Sequence, residues 1–335
     1  MNYSIKKSDL PAFMQSLAKK SEVWVPSEGS SGATLFAPLG DSGLYLAGRT
    51  DFSPKFLFRP PKEKMFVFRK NGSSYEIHHK FDPTKRVVFG IRPCDTHALH
   101  VLDELFIRYY GDDQFYTKRR RNTVLIALQC KEACENGFCT SMGTSKPIDH
   151  DILFTERGSD FFVTAASEKG KKLLNRKFFK PVKDAAPTAE IGCKKQLETK
   201  SLGPNLYANF NHAIWKQEGE RCLSCTSCTQ VCPTCYCYYT DDGFVFGSDK
   251  DSERYRFIDS CQLQRFTKVA GGHVFRKSRG ARLRQFVLHK LHYYQDQHGL
   301  QLCVGCGRCI TACPAKIDIT KIANEIQREA LGGKK

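Results

Sequence analysis

Cys222-Leu-Ser-Cys-Thr-Ser-Cys-Thr-Gln-Val-Cys-Pro233 and Cys303-Val-Gly-Cys-Gly-Arg-Cys-Ile-Thr-Ala-Cys-Pro314 decide how this chain is organised, because both carry the run C-x2-C-x2-C-x3-C-P. Three thiolates spaced in this way on a tight loop can grip three irons of one cubane, and small residues between them let backbone N–H groups approach the sulfurs. Proline then ends the turn without needing a donor. In such pairs the fourth cysteine of each run reaches the other cubane. Cys222, Cys225, Cys228 and Cys313 are therefore assigned to one [4Fe–4S] cluster, and Cys303, Cys306, Cys309 and Cys232 to a second. Zinc knuckles share the C-x2-C element. Tetrahedral zinc, however, takes four ligands per site with longer gaps between pairs, not a triplet followed by Cys-Pro and repeated in full.

Residues 233–302 make the separation of the two runs far wider than a small ferredoxin allows, so this insert must fold. Apolar spacing predicts helices at 205–219 and 281–296, the second through Leu283, Phe286, Val287, Leu291 and Tyr294. This predicts an α-helical ferredoxin-like unit, with helices rather than a β-hairpin frame around the cubes.

Upstream the pattern changes. Short β-rich runs divided by Gly, Pro, Asp and Lys predict strands at 23–25, 34–36, 44–46, 65–68, 75–77, 87–89, 124–128 and 161–164. Ser8 is read as the cap of a first helix carrying Leu10, Phe13 and Leu17, and Asp95 as the cap of another carrying Ala98, Leu102, Leu105 and Phe106. A Lys-rich polar stretch from Pro181 to Ser201 marks the boundary, beyond which the β signal fades. The fold class is α+β: an N-terminal α/β domain (1–200) followed by an α-helical dicluster ferredoxin domain (201–335).

The chain has 335 residues, 41% hydrophobic and 26% charged, as a folded protein with a buried core requires. Its longest apolar stretches, 87–91 and 124–128, fall far short of the roughly 20 residues of a membrane helix. The charged N-terminus lacks the apolar core of a secretory signal, so a cytoplasmic location is expected. In a reducing compartment sixteen cysteines point to metal rather than to disulfides. The net charge of +17 invites a nucleic-acid partner on composition alone, but no DNA- or RNA-binding motif accompanies it. Ten Lys or Arg lie within 254–290 against one acid, Asp259, either balancing clusters and carboxylates or forming a docking face for an acidic partner. Arg221 and Arg308 are expected to favour reduced clusters electrostatically.

Four further cysteines, Cys94, Cys130, Cys134 and Cys139, gather in the first half. Cys94 precedes the Asp95 helix and Cys130 follows the 124–128 strand, so the two can meet across a loop. A third cubane is one reading; structural thiols or zinc is the other, since C-x3-C-x4-C is no standard cluster run. Cys193, Cys235, Cys237 and Cys261 are read as packing or neighbouring residues, and His97 and His100 as ordinary hydrogen-bonded histidines. No G-x-G-x-x-G, Walker loop or G-x-S-x-G elbow is present, so no nicotinamide, ATP or acyl-transfer site is read.

With these residues in place, the chain resembles the iron–sulfur β subunit of sulfhydrogenase-type NiFe hydrogenases and the corresponding iron–sulfur subunit of anaerobic sulfite reductase. The resemblance rests on Arg92-Pro-Cys-Asp95, Phe115-Tyr-Thr-Lys-Arg-Arg120, Gly137-Phe-Cys-Thr-Ser-Met-Gly-Thr144, Cys222 to Cys237, Ala270-Gly-Gly-His273, His289-Lys290 and Cys303 to Pro314. Relatives commonly carry Cys-Phe-Cys where this chain has Gly137-Phe138-Cys139. The resemblance implies an electron-transfer subunit without its own substrate site, between an NAD(P)H-oxidising flavoprotein (or ferredoxin) and a catalytic hydrogenase or sulfite reductase. The alternative is a stand-alone reductase with an N-terminal flavin or third-cluster site.

Overall fold

The computed structural model describes residues 2–40, 43–109, 111–185, 187, 190–248 and 251–332. Its strands are β1 (Asn2–Lys6), β2 (Glu22–Glu28), β3 (Thr34–Pro38), β4 (Lys62–Asn71), β5 (Ser74–His79) and β6 (Arg86–Ile91). They continue with β7 (Thr123–Leu128), β8 (Ile152–Arg157), β9 (Asp160–Ala165), β10 (Lys180–Val182), β11 (Tyr238–Phe244) and β12 (Asp251–Ile258).

The larger sheet has the order β10-β1-β9-β8-β7-β6-β2-β3. β2, β6, β7 and β8 run parallel, and the strands outside them pair antiparallel. Alternation along the parallel strands feeds two cores. Val87, Phe89, Ile126 and Leu128 meet Phe13, Met14 and Leu17 of the Leu10–Ala18 helix, while Val88, Leu125 and Ala127 meet Leu99 and Leu102 of the Pro93–Asp103 helix. Each such Leu, Val or Phe contributes about 1.5–3 kcal/mol of burial free energy. Tyr294 and Leu302, from the second half of the chain, complete the second core.

The expected strands appear except 44–46, where only an isolated bridge from Leu44 to Ser27 forms. The expected caps shift. Asp9, not Ser8, precedes the first helix, and Arg92 holds the cap position before Pro93, so Asp95 lies within the first turn with its carboxylate free for another partner. The helix expected at 205–219 is two, Leu202–Ala208 and Ile214–Arg221.

The largest correction concerns the insert between the cysteine runs, where β11 and β12 form a hairpin. It pairs with β4 in a second sheet, ordered β11-β12-β4-β5, so strands from both sides of residue 200 share one ladder. These strands carry charge where a half-buried strand would carry alternating apolar residues. Arg254–Asp242, Lys64–Glu253 and Arg69–Asp251 bridge neighbouring strands, and Tyr239 stacks on Phe257. The helix expected at 281–296 is present as Arg279–Leu288, a π-turn over His289–Tyr293, and Tyr294–His298. Among the described residues no helix is long and apolar enough to cross a membrane.

Candidate metal centre

The two cysteine runs fold alike. In the first, Ser224 and Thr226 take positive φ, 51° and 69°; at the matching positions of the second, Gly305 and Gly307 take 63° and 71°. Each loop then enters a short helix, Ser227–Val231 or Arg308–Thr311. This conformation turns backbone N–H groups inward: Ser224 donates to Cys222 Sγ at 3.4 Å, Gly305 to Cys303 Sγ at 3.5 Å, and Ile317 to Cys313 Sγ at 3.4 Å. A left-handed Ser or Thr costs roughly 1–2 kcal/mol, which the first loop carries in the open. The second loop has no room for a side chain. A Cβ on Gly305 would lie 2.7 Å from the Phe138 carbonyl, and one on Gly307 would lie 2.1 Å from Asn136 O.

Cys222, Cys225, Cys228 and Cys313 line one cavity together with Cys309, walled by Leu283, Phe286, Ile317 and Ile319. Burial pushes the Cys228 thiol up to about 12, reinforced by Cys222, Cys232, Cys313 and Cys225 around it. Burial likewise raises Cys309, reinforced by Cys306, Cys232, Cys303 and Cys228. Cys313 shares the cavity of Cys222, Cys225 and Cys228, and Cys232 bears on Cys303, Cys306 and Cys309 as well as on Cys228. So many thiols facing one another in a dry interior oppose each other's ionisation, and bound iron removes that opposition by replacing protons with positive charge. The donor set and the N–H cradle fit [4Fe–4S] cubanes, which when bound supply one-electron redox steps. The environments differ: Cys225 is exposed beside Leu223, which is 61% exposed, whereas Cys306 is buried.

Two buried cations stand near Cys232: Lys290, from the basic 254–290 segment, and Lys55, which the sequence reading missed. Lys290 Nζ donates to Thr234 Oγ1 at 2.8 Å, and that hydroxyl lies 3.4 Å from Cys232 Sγ. Lys55 Nζ reaches the Cys232, Thr229 and Cys235 carbonyls at 2.7, 3.2 and 3.4 Å. The Cys235 hydrogen bond, together with the charges of Lys290 and Lys55, holds the Cys232 thiol well below its ordinary value despite burial. Lys290 is buried in the π-turn beside Leu291.

The arginines expected to tune the clusters are already engaged. Arg308 is fully buried but bound to Asp95, while Arg221 pairs with Glu218 and donates to the Ala315 carbonyl at 2.9 Å. Within the basic 254–290 segment, Arg256, Arg282 and Lys290 are buried. Arg256 binds Glu63 and Asp113, and Arg282 binds the Arg276 and Lys277 carbonyls and Ser224 Oγ, so much of that charge works inside the molecule.

The four N-terminal cysteines also converge. Cys94, Cys130, Cys134 and Cys139 line one cavity, joined by Cys306, Gly305 and Arg49. Cys193 Sγ lies 3.6 Å from Cys139 Sγ, a partner that spacing did not reveal. Cys237 lies beside Cys261, and this contact, opposed by burial, lowers the Cys237 thiol to about 7. His97 Nε2 lies 2.9 Å from the Lys146 carbonyl and His100 Nδ1 2.6 Å from Asp149 Oδ2, both ordinary hydrogen bonds.

The 4Fe-4S dicluster domain family matches residues 221–317. The chain is 34% identical over 296 residues to sulfhydrogenase 2 subunit beta of Pyrococcus furiosus, covering 84% of this chain and 85% of that protein. No solved structure matches. The doubled cysteine loops and a likeness running through most of both chains lead to one conclusion: this chain belongs to the sulfhydrogenase β-subunit family of iron–sulfur electron-transport proteins.

Proposed function

We propose that this chain relays single electrons between an NAD(P)H-oxidising flavoprotein, or a ferredoxin, and a catalytic subunit such as a NiFe hydrogenase or an anaerobic sulfite reductase. Cys222, Cys225, Cys228 and Cys313 would hold one cluster, and Cys303, Cys306, Cys309 and Cys232 its neighbour. The observation that carries this reading is the single cavity that brings Cys222, Cys225 and Cys228 of the first run together with Cys313 of the second. The exposed Cys225 edge is where electrons would cross to a partner, while the buried Cys306 set carries them inward. Backbone donors at Ser224, Gly305 and Ile317 stabilise sulfur charge, and Lys290 and Lys55 add positive charge beside Cys232.

The test uses the complex purified without oxygen through a tag on the full-length chain. Cys306→Ser should leave NAD(P)H-driven dye reduction by the flavoprotein intact and abolish electron delivery to the catalytic subunit. Undiminished delivery would overturn the relay. Bound flavin on the isolated chain, or substrate turnover without partners, would favour a stand-alone reductase instead.

A further inference from the structure

We propose that Cys94, Cys130, Cys134 and Cys139 hold a third [4Fe–4S] cluster, next in line after the one assigned to Cys303, Cys306, Cys309 and Cys232; this rests on the relay reading. Two separate pieces of backbone, the start of the Pro93–Asp103 helix and the loop after β7, bring the four cysteines into one cavity. Cys94 stands in the first turn of the Pro93–Asp103 helix, just past the end of β6, where a bulge at Gly90 (φ 78°) redirects the strand. Cys130 follows the end of the adjacent parallel strand β7. Cys134 and Cys139 come from further along that same loop, which runs from β7 to β8. Ligands commonly occupy the crevice at the carboxyl ends of parallel strands, and here that crevice is lined with sulfur.

The surroundings suit an anionic cluster. Arg92 is buried and holds the cavity's frame through the Leu46, Gly48 and Gln129 carbonyls, and its charge favours a thiolate at Cys130. Arg49 lines the cavity, and its Nε is buried with no hydrogen-bond partner among the described residues. Cys193 is placed to hydrogen-bond the Cys139 sulfur.

The site is also joined to the second cysteine run. Phe138 N donates to the Gly305 carbonyl at 2.7 Å, and Thr144 Oγ1 donates to the Val304 carbonyl at 2.7 Å. Cys94 and Cys306 pack in one small apolar cluster with Ala98 and Val304. The missing side chains at Gly305 and Gly307 are what let the two loops touch backbone to backbone. An electron gained by the third cluster is the electron lost by the second, with no bond or proton changed.

The experiment reconstitutes the full chain anaerobically with ferrous iron and sulfide and counts both, alongside Cys134→Ser and the double variant Cys130→Ser/Cys134→Ser. The wild type should hold about 12 iron and 12 sulfide, and the double variant about 8 of each, with the paramagnetic spectrum of the remaining reduced clusters retained. Cys134→Ser, in a half-buried loop position, tests the same loss with less risk to folding. About 8 of each in all three proteins would overturn the third site and leave the dicluster standing. About 4 in the wild type, all lost in the double variant, would support this site and overturn the dicluster. One zinc per chain, lost in the double variant, would overturn the proposal.

Discussion

Arg308 and Asp95 form a fully buried, two-pronged ion pair, with Nη1–Oδ1 at 2.6 Å and Nη2–Oδ2 at 2.8 Å. Arg308 Nε also donates to the Thr50 carbonyl at 2.8 Å, so one side chain ties the second cysteine run to the helix that carries Cys94. The pair joins the two loops, and at Cys306 burial raises the thiol while the Arg308 charge opposes that rise.

Asp95→Asn leaves the Arg308 charge buried without its counter-ion, and should cost about 3–5 kcal/mol of folding stability. The double change Asp95→Leu/Arg308→Met should recover most of that loss, because two apolar side chains replace a desolvated pair. Denaturant unfolding of both variants checks this; equal destabilisation in the two would contradict it.

Gly307→Ala should be severe. The new Cβ meets Asn136 O at 2.1 Å in a left-handed conformation, and backbone on both sides must move. Thr226→Gly, at the matching position of the first loop, relieves backbone strain and should be near neutral or stabilising by up to about 1 kcal/mol. Thermal unfolding of the reconstituted proteins separates the two loops.

These asymmetries mark where the sequence was legible. The repeated run announced the doubled loop, and the short continuous apolar runs 87–91 and 124–128 announced β6 and β7. The β11–β12 hairpin was hidden because its pairing is electrostatic and aromatic, with Arg254, Glu253 and Asp242 where a strand pattern expects Val or Ile. Asp95 read as a helix cap because its partner, Arg308, lies 213 residues away. Lys55 was invisible for the same reason: its acceptors are backbone carbonyls in the distant 229–235 segment, which carry no sequence signal.

Lys290→Met removes a buried cation beside Cys232 and Cys303. Extra electron density on a cluster is stabilised by that charge, so its loss should move the potential of the Cys303 set more negative by about 60 mV, the one-electron equivalent of about 1.4 kcal/mol. A potentiometric titration followed by paramagnetic resonance checks it; an unchanged or more positive potential would contradict the placement.

His289 titrates in the opposite sense to a salt-bridged histidine. Burial, followed by the charge of Lys290, lowers it to about 4 from its ordinary value of 6.5, and its Nε2 lies 3.0 Å from the Tyr236 hydroxyl. The unfolded chain therefore takes up a proton first as pH falls. The neutral-His contribution, about 3 kcal/mol, is complete above pH 6.5 and is lost as pH drops toward 4. His289→Gln should flatten the pH dependence of unfolding free energy across that window, and an unchanged slope would contradict the assignment.

The interlocking of the two cysteine runs is tested most directly by low-temperature paramagnetic resonance of the anaerobic, fully reduced chain. Neighbouring cubanes that exchange their fourth thiolates should give a broad, spin-coupled spectrum, simplified in Cys306→Ser to that of fewer interacting clusters. Zinc with negligible acid-labile sulfide, or sharp signals from clusters that do not interact, would contradict the account.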